Sequence, residues 1–98
     1  MFSKLTDLIT ANREKLLELK LFIDEIKSSE LDFTEEAEQV DLFNETAVTR
    51  ITWFESNRLY VHILNIESEE TIYFFDEVLD DAVNIGEFIM EAIYKMNQ

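Results

Sequence analysis

Apolar side chains recur at helical spacing along the first 26 residues. This spacing predicts a helix packed on a sheet, because it gathers the apolar side chains on one stripe. A coiled-coil seam is the less favoured alternative, since fewer than four heptads are present. Ser3 is placed to cap the helix. The positions of the stripe are Leu5, Ile9, Asn12, Leu16, Leu19, Ile23 and Ile26.

The end of this helix is open in the sequence. Phe22, Ile23 and Ile26 suit a strand about as well as a helix, so residues 20–28 are either one, with the stripe favouring helix. Residues 29–36 then have the composition of an acidic loop.

Four later segments have the composition of strands, rich in β-branched and aromatic residues. Short polar turns separate the last three, and strands joined in this way pair as an antiparallel meander. One turn is Ser56-Asn57, where Asn57 tolerates a left-handed backbone. The predicted strands are 38–43, 47–55, 58–66 and 71–75.

The last segment of the chain predicts a second helix with a broad apolar face. Asp80 or Asp81 is expected to cap it, with Asn84 in its first turn. Gly86 lies inside this helix at a cost of about 1 kcal/mol relative to Ala, which close packing on the sheet would explain. The order of elements predicts a single α+β domain over residues 1–98: a helix, an antiparallel meander of three to five strands, and a C-terminal helix. The apolar positions of the last helix are Val83, Ile85, Phe88, Ile89, Ala92, Ile93 and Met96.

The strands carry more apolar side chains than one buried face needs. If one face of the sheet packs on the helices, we expect the other to expose Phe54, Tyr60, Leu64, Tyr73 and Phe75. An aromatic patch of this kind is typical of a protein interface. The alternative is that the two helices cover opposite faces, or that the sheet curls.

Charge divides the chain into neutral and acidic parts. The 98 residues have a net charge of −14, and residues 1–28 contribute none of it. The excess lies in residues 29–45 and 67–91, neither of which contains a base. Such a chain lacks the basic surface that a nucleic-acid binder requires. Two interpretations stay open: a solvated surface that keeps the protein monomeric, or complementarity to a basic partner.

Few residues could support catalysis. The chain has no Cys and one Gly, which excludes disulfides, thiolate metal sites and a Gly-rich phosphate loop. His62 is the only histidine and lies in the middle of a predicted strand, and no serine has an evident base partner. We therefore predict a non-enzyme with no catalytic residue, cofactor or metal. No apolar run is long enough to span a membrane and no signal-peptide core is present, so we expect no membrane contact.

Residues 49–80 resemble the small acidic immunity proteins of bacterial polymorphic-toxin systems, of the TriTu type. Asn57 and Glu69 stand where the family pattern prefers Gly; Asn57 can keep its turn, whereas we expect Glu69 not to keep the same geometry. The resemblance also implies a strand near residues 20–28. The matching segments are Arg50-Ile51-Thr52-Trp53, Ser56-Asn57, 59–66, Glu67-Ser68-Glu69-Glu70 and 72–75.

The resemblance implies a cytoplasmic protein that binds and neutralises one cognate toxin. Many such toxins act on nucleic acids, so we expect a basic partner protein, and a chain that is a monomer or a weak homodimer. The alternatives are an acidic nucleic-acid mimic that inhibits a host defence enzyme through its acids alone, and a structural dimerisation module. The predicted partner-binding residues are the aromatic anchors Trp53, Phe54 and Tyr60 and the acids Glu67, Glu69, Glu70, Asp76 and Glu77.

Overall fold

The computed structural model describes residues 4–27 and 36–97. One five-stranded sheet has the order β1-β2-β3-β4-β5, with every neighbouring pair antiparallel. The prediction of an α+β fold, with helix before the antiparallel meander and helix after it in the chain, is confirmed. The elements are α1 (Lys4–Ala11), α2 (Arg13–Glu18), β1 (Phe22–Lys27), β2 (Ala37–Phe43), β3 (Ala47–Phe54), β4 (Arg58–Asn65), β5 (Thr71–Val78), α3 (Ile85–Tyr94) and a 3₁₀ turn (Lys95–Asn97).

The first helical stripe ends earlier than its spacing predicts. The Asn12 side-chain amide donates to the Leu8 carbonyl at 2.9 Å, and the helix breaks there into α1 and α2. Lys20 then has a φ of 60°, and the chain turns into β1. The helix favoured for residues 20–28 is therefore wrong over Phe22–Lys27, and the strand that the resemblance implied is present there. The predicted cap at Ser3, residue 28 and the loop at 29–35 lie outside the described residues.

The inner face of the sheet is the face that packs on the helices. Val40, Ile51 and Val61 are cross-strand partners in β2, β3 and β4, and all three are fully buried. α1 and α3 cover this row with apolar side chains such as Ile9 and Ile89. The inner face thus holds the hydrophobic core of the described residues.

The expectation that Tyr73 and Phe75 are exposed on the face opposite the helices is wrong. Val61 pairs with Phe75, so both aromatic side chains point to the inner face, where they pack against the core. The ring of Phe75 lies 4.7 Å from that of Phe88 in α3, between centroids. Phe74 occupies the opposite face instead, because successive strand residues alternate sides.

α3 begins later than predicted. Asn84 is its N-cap, and the side-chain oxygen accepts from the Glu87 backbone N–H at 3.1 Å. The prediction of a cap at Asp80 or Asp81 is therefore wrong. A Cβ placed on Gly86 would lie 3.3 Å from Leu8 Cδ1, so the close approach there is to α1 and not to the sheet.

A buried carboxylate joins β2 to the start of α1. Glu38 is 2% exposed on the inner face. One carboxylate oxygen accepts from the Leu5 and Thr6 backbone N–H groups at 3.0 and 3.3 Å, and the other accepts from the Thr6 hydroxyl. Free N–H groups and the positive end of the helix dipole both favour a carboxylate at this position. Glu38 therefore caps the start of α1 from a distant strand.

The left-handed residues of two hairpin turns, Asn57 and Glu69, were only partly predicted. Asn57 has a φ of 68°, as its residue type allows. Glu69 has a φ of 61°, so the expectation that it departs from a glycine-type backbone is wrong. The Glu69 N–H donates to the Asn65 carbonyl at 2.9 Å, and the Asn65 side chain accepts from the Ser68 N–H at the same distance. Asn65 therefore holds this turn by accepting both hydrogen bonds.

Removing the Glu38 carboxylate is expected to destabilise the fold. We expect Glu38→Ala to lower the free energy of unfolding by about 3 kcal/mol, because buried donors lose a charged acceptor. Glu38→Gln keeps one acceptor oxygen and should lose roughly half as much. Chemical denaturation measures both values. The exposed Glu55→Ala removes one carboxylate elsewhere and should stay within about 0.5 kcal/mol. Equal midpoints for Glu38→Ala and Glu55→Ala would contradict this assignment.

Candidate protein-binding surface on the open face of the sheet

The outer face is the side of the sheet opposite the helices. It carries the even-numbered residues of β3 and β4, the residues Phe74, Asp76 and Val78 in the regular part of β5, and the odd-numbered residues of β2. No described helix contributes to the outer face, whereas the buried helix residues all join the inner core. Large apolar side chains remain exposed on it. They are Phe22, Phe43, Val48, Phe74 and Val78.

An apolar row crosses one end of this face. Phe22 pairs with Phe43, Phe43 with Val48, and Val48 with Leu64, so the row runs over four strands. The rings of Phe22 and Phe43 are 5.6 Å apart between centroids. Side chains that are only half covered by their neighbours leave continuous apolar area for a partner.

Two ion pairs lie on the outer face, Arg50–Asp41 next to this row and Arg58–Asp76 towards the opposite end. Arg50 donates from Nε and Nη2 to both carboxylate oxygens of Asp41 at 2.9 and 3.1 Å, and Arg58 makes the same pair of bonds to Asp76 at 2.9 Å each. Bidentate geometry fixes both guanidinium groups. The hydrogen bonds from Arg58 lower the pKa of Asp76 below its ordinary value of 3.8. Each pair is neutral in sum, although the chain as a whole is strongly acidic.

Aromatic rings of β4 and β5 contact one another on the outer face. Phe74 is 55% exposed and stands edge-on to both Tyr60 and His62, with centroid distances of 5.6 and 5.7 Å. The Nε2 atom of His62 lies 3.0 Å from the Thr71 hydroxyl. Edge-to-face contacts hold these rings in one arrangement before any partner arrives.

The outer face contains two hollows. Two adjoining hollows of about 420 and 280 Å³ share Arg50 and Tyr60 in their walls. Together they form a shallow groove across β2, β3 and β4 that reaches His62 on one side and Asp76 on the other. A groove with aromatic walls and fixed charged groups suits a protein side chain or a short peptide segment.

The predicted aromatic anchors separate between the two faces. Trp53 points to the inner face and is 7% exposed, which makes it a core residue. Phe54 points to the outer face but is equally covered, and the Arg58 guanidinium carbon lies 5.1 Å from its ring centroid. Tyr60 is half-buried in the groove wall. Of the three, Tyr60 alone offers substantial aromatic surface for contact.

The predicted acids also separate. Asp76 is the cross-strand partner of Tyr60, and these two residues and Phe54 surround one hollow. Glu77 is exposed and pairs with Leu59, so it points away from the outer face. The exposed carboxylates of the turn from β4 to β5 lie at the other end of the sheet, about 20 Å from Arg58 at 3.3 Å per strand residue. These turn acids are Glu67, Glu69 and Glu70.

Three surface residues escaped the sequence analysis. Phe74 was missed because the sequence analysis placed Tyr73 and Phe75 on the exposed face, and alternation then placed Phe74 on the face that packs on the helices. Arg50 and Arg58 were the only bases between the acidic blocks, and antiparallel pairing places each near an aspartate. A register drawn from the paired strands could have identified all three.

Metal-binding clusters and membrane-spanning helices are both absent from the described residues. Within residues 4–27 and 36–97, no group of three or more His, Cys, Asp or Glu side chains is placed to hold a metal ion. No helix in the same ranges has both the length and the apolar composition needed to cross a membrane.

The Arg58–Asp76 pair has a measurable pH dependence. Because the folded-state pKa of Asp76 is lowered, the pair stabilises the fold above the ordinary aspartate pKa and loses this contribution as the pH falls through the lowered value. The contribution should be below about 1 kcal/mol, since both groups are partly exposed. An NMR titration of the Asp76 carboxyl should show Arg58→Gln returning its pKa towards 3.8. Arg50→Gln is the matched control and should leave it lowered; an unchanged Asp76 pKa in Arg58→Gln would contradict the assignment.

Comparison with known proteins gives one match. No curated protein and no solved structure matches the chain. The model of the family described as immunity protein TriTu matches residues 3–92, which include all five strands and most of α3. The resemblance seen in residues 49–80 is thus confirmed over nearly the whole sequence, and the chain belongs to the TriTu family of immunity proteins.

Proposed function

We propose that this chain neutralises a cognate bacterial toxin by binding it through the outer face of the sheet. Membership of an immunity protein family supports a toxin as the partner. The exposed apolar and aromatic side chains of the outer face, beside two hollows, are the observation that carries the choice of surface. In this proposal the protein acts in the cytoplasm by binding, without catalysis and without a cofactor.

The centre of the outer face has the properties of an interface core. Phe74 and Tyr60 supply aromatic area beside a groove, and such residues dominate binding energy when a partner desolvates them. Arg50 and Arg58 are already held by their aspartates, so little conformational freedom is lost there on binding. Trp53 supports this surface from the core side of β3.

The acids surround this centre. Glu45 and the turn acids lie at one end of the sheet, while Glu55 and Asp81 lie at the other. Their excess charge would attract a basic toxin over a distance and speed its association, while the centre decides the fit. A basic surface is what a toxin that acts on nucleic acids would present.

Truncating the exposed aromatic side chains is expected to weaken binding. Phe74→Ala and Tyr60→Ala should each weaken the affinity at least tenfold, which is about 1.4 kcal/mol. Calorimetry with an inactivated toxin domain from the neighbouring reading frame measures this loss, and protection of growing cells against the active toxin should fall in parallel.

Leu17→Ala is the matched control for these variants. Leu17 is 57% exposed, close to the value for Phe74, but lies on α2 away from the outer face. It should change the affinity by less than about twofold. If Phe74→Ala and Tyr60→Ala bind the toxin as tightly as the wild-type chain and Leu17→Ala do, the outer face is not the contact surface. If in addition the reversal of acidic residues still weakens or slows binding, the nucleic-acid-mimic alternative gains support.

Reversing the turn acids is expected to slow association. Glu67→Lys, Glu69→Lys and Glu70→Lys in one variant should lower the association rate constant about tenfold at low salt, and the difference should shrink as salt screens the charges. The matched control reverses Glu14, Glu18 and Glu91, which are exposed on the helices and give the same change in net charge. Stopped-flow fluorescence measures both. Equal slowing in the two variants would show that net charge, not the turn, steers the toxin.

A further inference from the structure

β5 is an edge strand of the sheet, and its backbone directions follow from the ladder. The Leu79 N–H donates to the Asn57 carbonyl at 2.9 Å, and the Asn65 N–H donates to the Glu70 carbonyl at 2.9 Å. Hydrogen-bonded and non-bonded pairs alternate in an antiparallel ladder. Tyr73, Phe75 and Glu77 therefore direct their backbone groups towards β4. The N–H and C=O groups of the residues between and after them, Phe74, Asp76 and Val78, point to the free edge.

This edge lacks most of the features that prevent strand addition. β5 has eight residues and contains no Pro, Lys or Gly. Its register shift lies at its beginning, between the pairs that Ile63 and Leu64 form, and leaves the pairs from Tyr73 to Val78 regular. Among residues 4–27 and 36–97, no strand pairs with this edge.

The other edge of the sheet differs in these respects. β1 has six residues, a register shift between Ile23 and Glu25 near its middle, and Lys27 at its end. An interrupted edge of this kind is a poorer template for a further strand.

The charge around β5 determines which kind of strand could pair with its free edge. Residues 67–91 contain no base, and exposed acids lie before, within and after the strand, at Glu70, Glu77 and Asp80. A second copy of the chain would bring the same acids against them, at a net charge of −14 for each copy. A strand with Lys or Arg side chains would instead meet opposite charge.

Two cations near β5 do not alter this picture. Arg58 is already paired with Asp76. Lys95 lies on the inner side, with its Nζ 5.3 Å from the Tyr73 ring centroid. The edge itself therefore remains acidic.

Resting on the proposed function, we infer that the cognate toxin adds a strand with basic side chains to the free edge of β5. Main-chain hydrogen bonds would supply affinity and the flanking acids would supply selectivity. The residues with outward backbone groups also carry their side chains on the outer face, so the added strand would lie directly beside Phe74. Toxin contact would then extend continuously from the groove to the edge.

Residue-resolved amide hydrogen exchange tests this inference on the full chain, free and bound to the inactivated toxin domain from the neighbouring reading frame. The amides of Phe74, Asp76 and Val78 should slow at least tenfold in the complex. Those of β1 should not change. Alternate protection along β5 is specific to strand addition, because side-chain contact alone does not protect every second amide.

A pair of variants at Val78 separates the backbone from the side chain. Val78→Ala removes most of a side chain of the outer face but keeps the outward N–H, so its loss of affinity measures the side-chain contribution. Val78→Pro removes that N–H as well, which an edge strand tolerates, and should bind about five- to tenfold more weakly than Val78→Ala. Circular dichroism verifies that both variants fold.

The outcomes distinguish the two proposals. A stable complex without alternate protection on β5, or with Val78→Pro binding like Val78→Ala, overturns strand addition and leaves toxin binding intact. No complex with the wild-type chain at high micromolar concentration overturns toxin binding itself, and strand addition with it.

Discussion

The register of the strands is the constraint on which the other features depend. Val40, Ile51 and Val61 lie opposite one another and are fully buried, so they fix which residues of β2, β3 and β4 face the helices. A shift of one residue would move every side chain of a strand to the other face. Glu38 reinforces this register, because it lies two residues before Val40 and its carboxylate holds the start of α1. The core and the outer face are thus two consequences of one alignment.

The meander and the last helix could be predicted because their signals are local. Runs of β-branched and aromatic residues separated by short polar turns identify β2 to β5, and the apolar face of α3 has a clear period. β1 could not be identified from its residues, because Phe22, Ile23 and Ile26 satisfy a helical stripe and a strand equally well. These residues form a strand because they pair with β2, and the pairing partners at residues 39–43 lie outside any local sequence pattern.

The positions of individual surface residues were harder to predict for a related reason. Residues 72–75 are apolar on both sides of the strand, so alternation alone does not show which ring faces the helices. Pairing with Val61 decides it for Phe75, and Phe74 then lies outside. The candidate surface was therefore predictable as an aromatic sheet face, but not as a set of residues. The long-range cap from Glu38 has no sequence signal, since an isolated glutamate in a strand usually lies at the surface.

The acidity of the chain helps to keep the outer face and the edge of β5 from pairing with other copies of the chain. An open sheet face next to a regular edge strand is a hazard, because copies of the same chain could pair along it. Here the two Arg–Asp pairs offset charge on the face, and exposed acids such as Glu45 and Glu55 lie at the ends of the sheet. Repulsion between identical chains falls off within about 10 Å at moderate salt, so it acts most strongly where two edges would meet. In the proposed function the same charge attracts a basic toxin, and a surface that repels its own copies would remain exposed until the toxin binds.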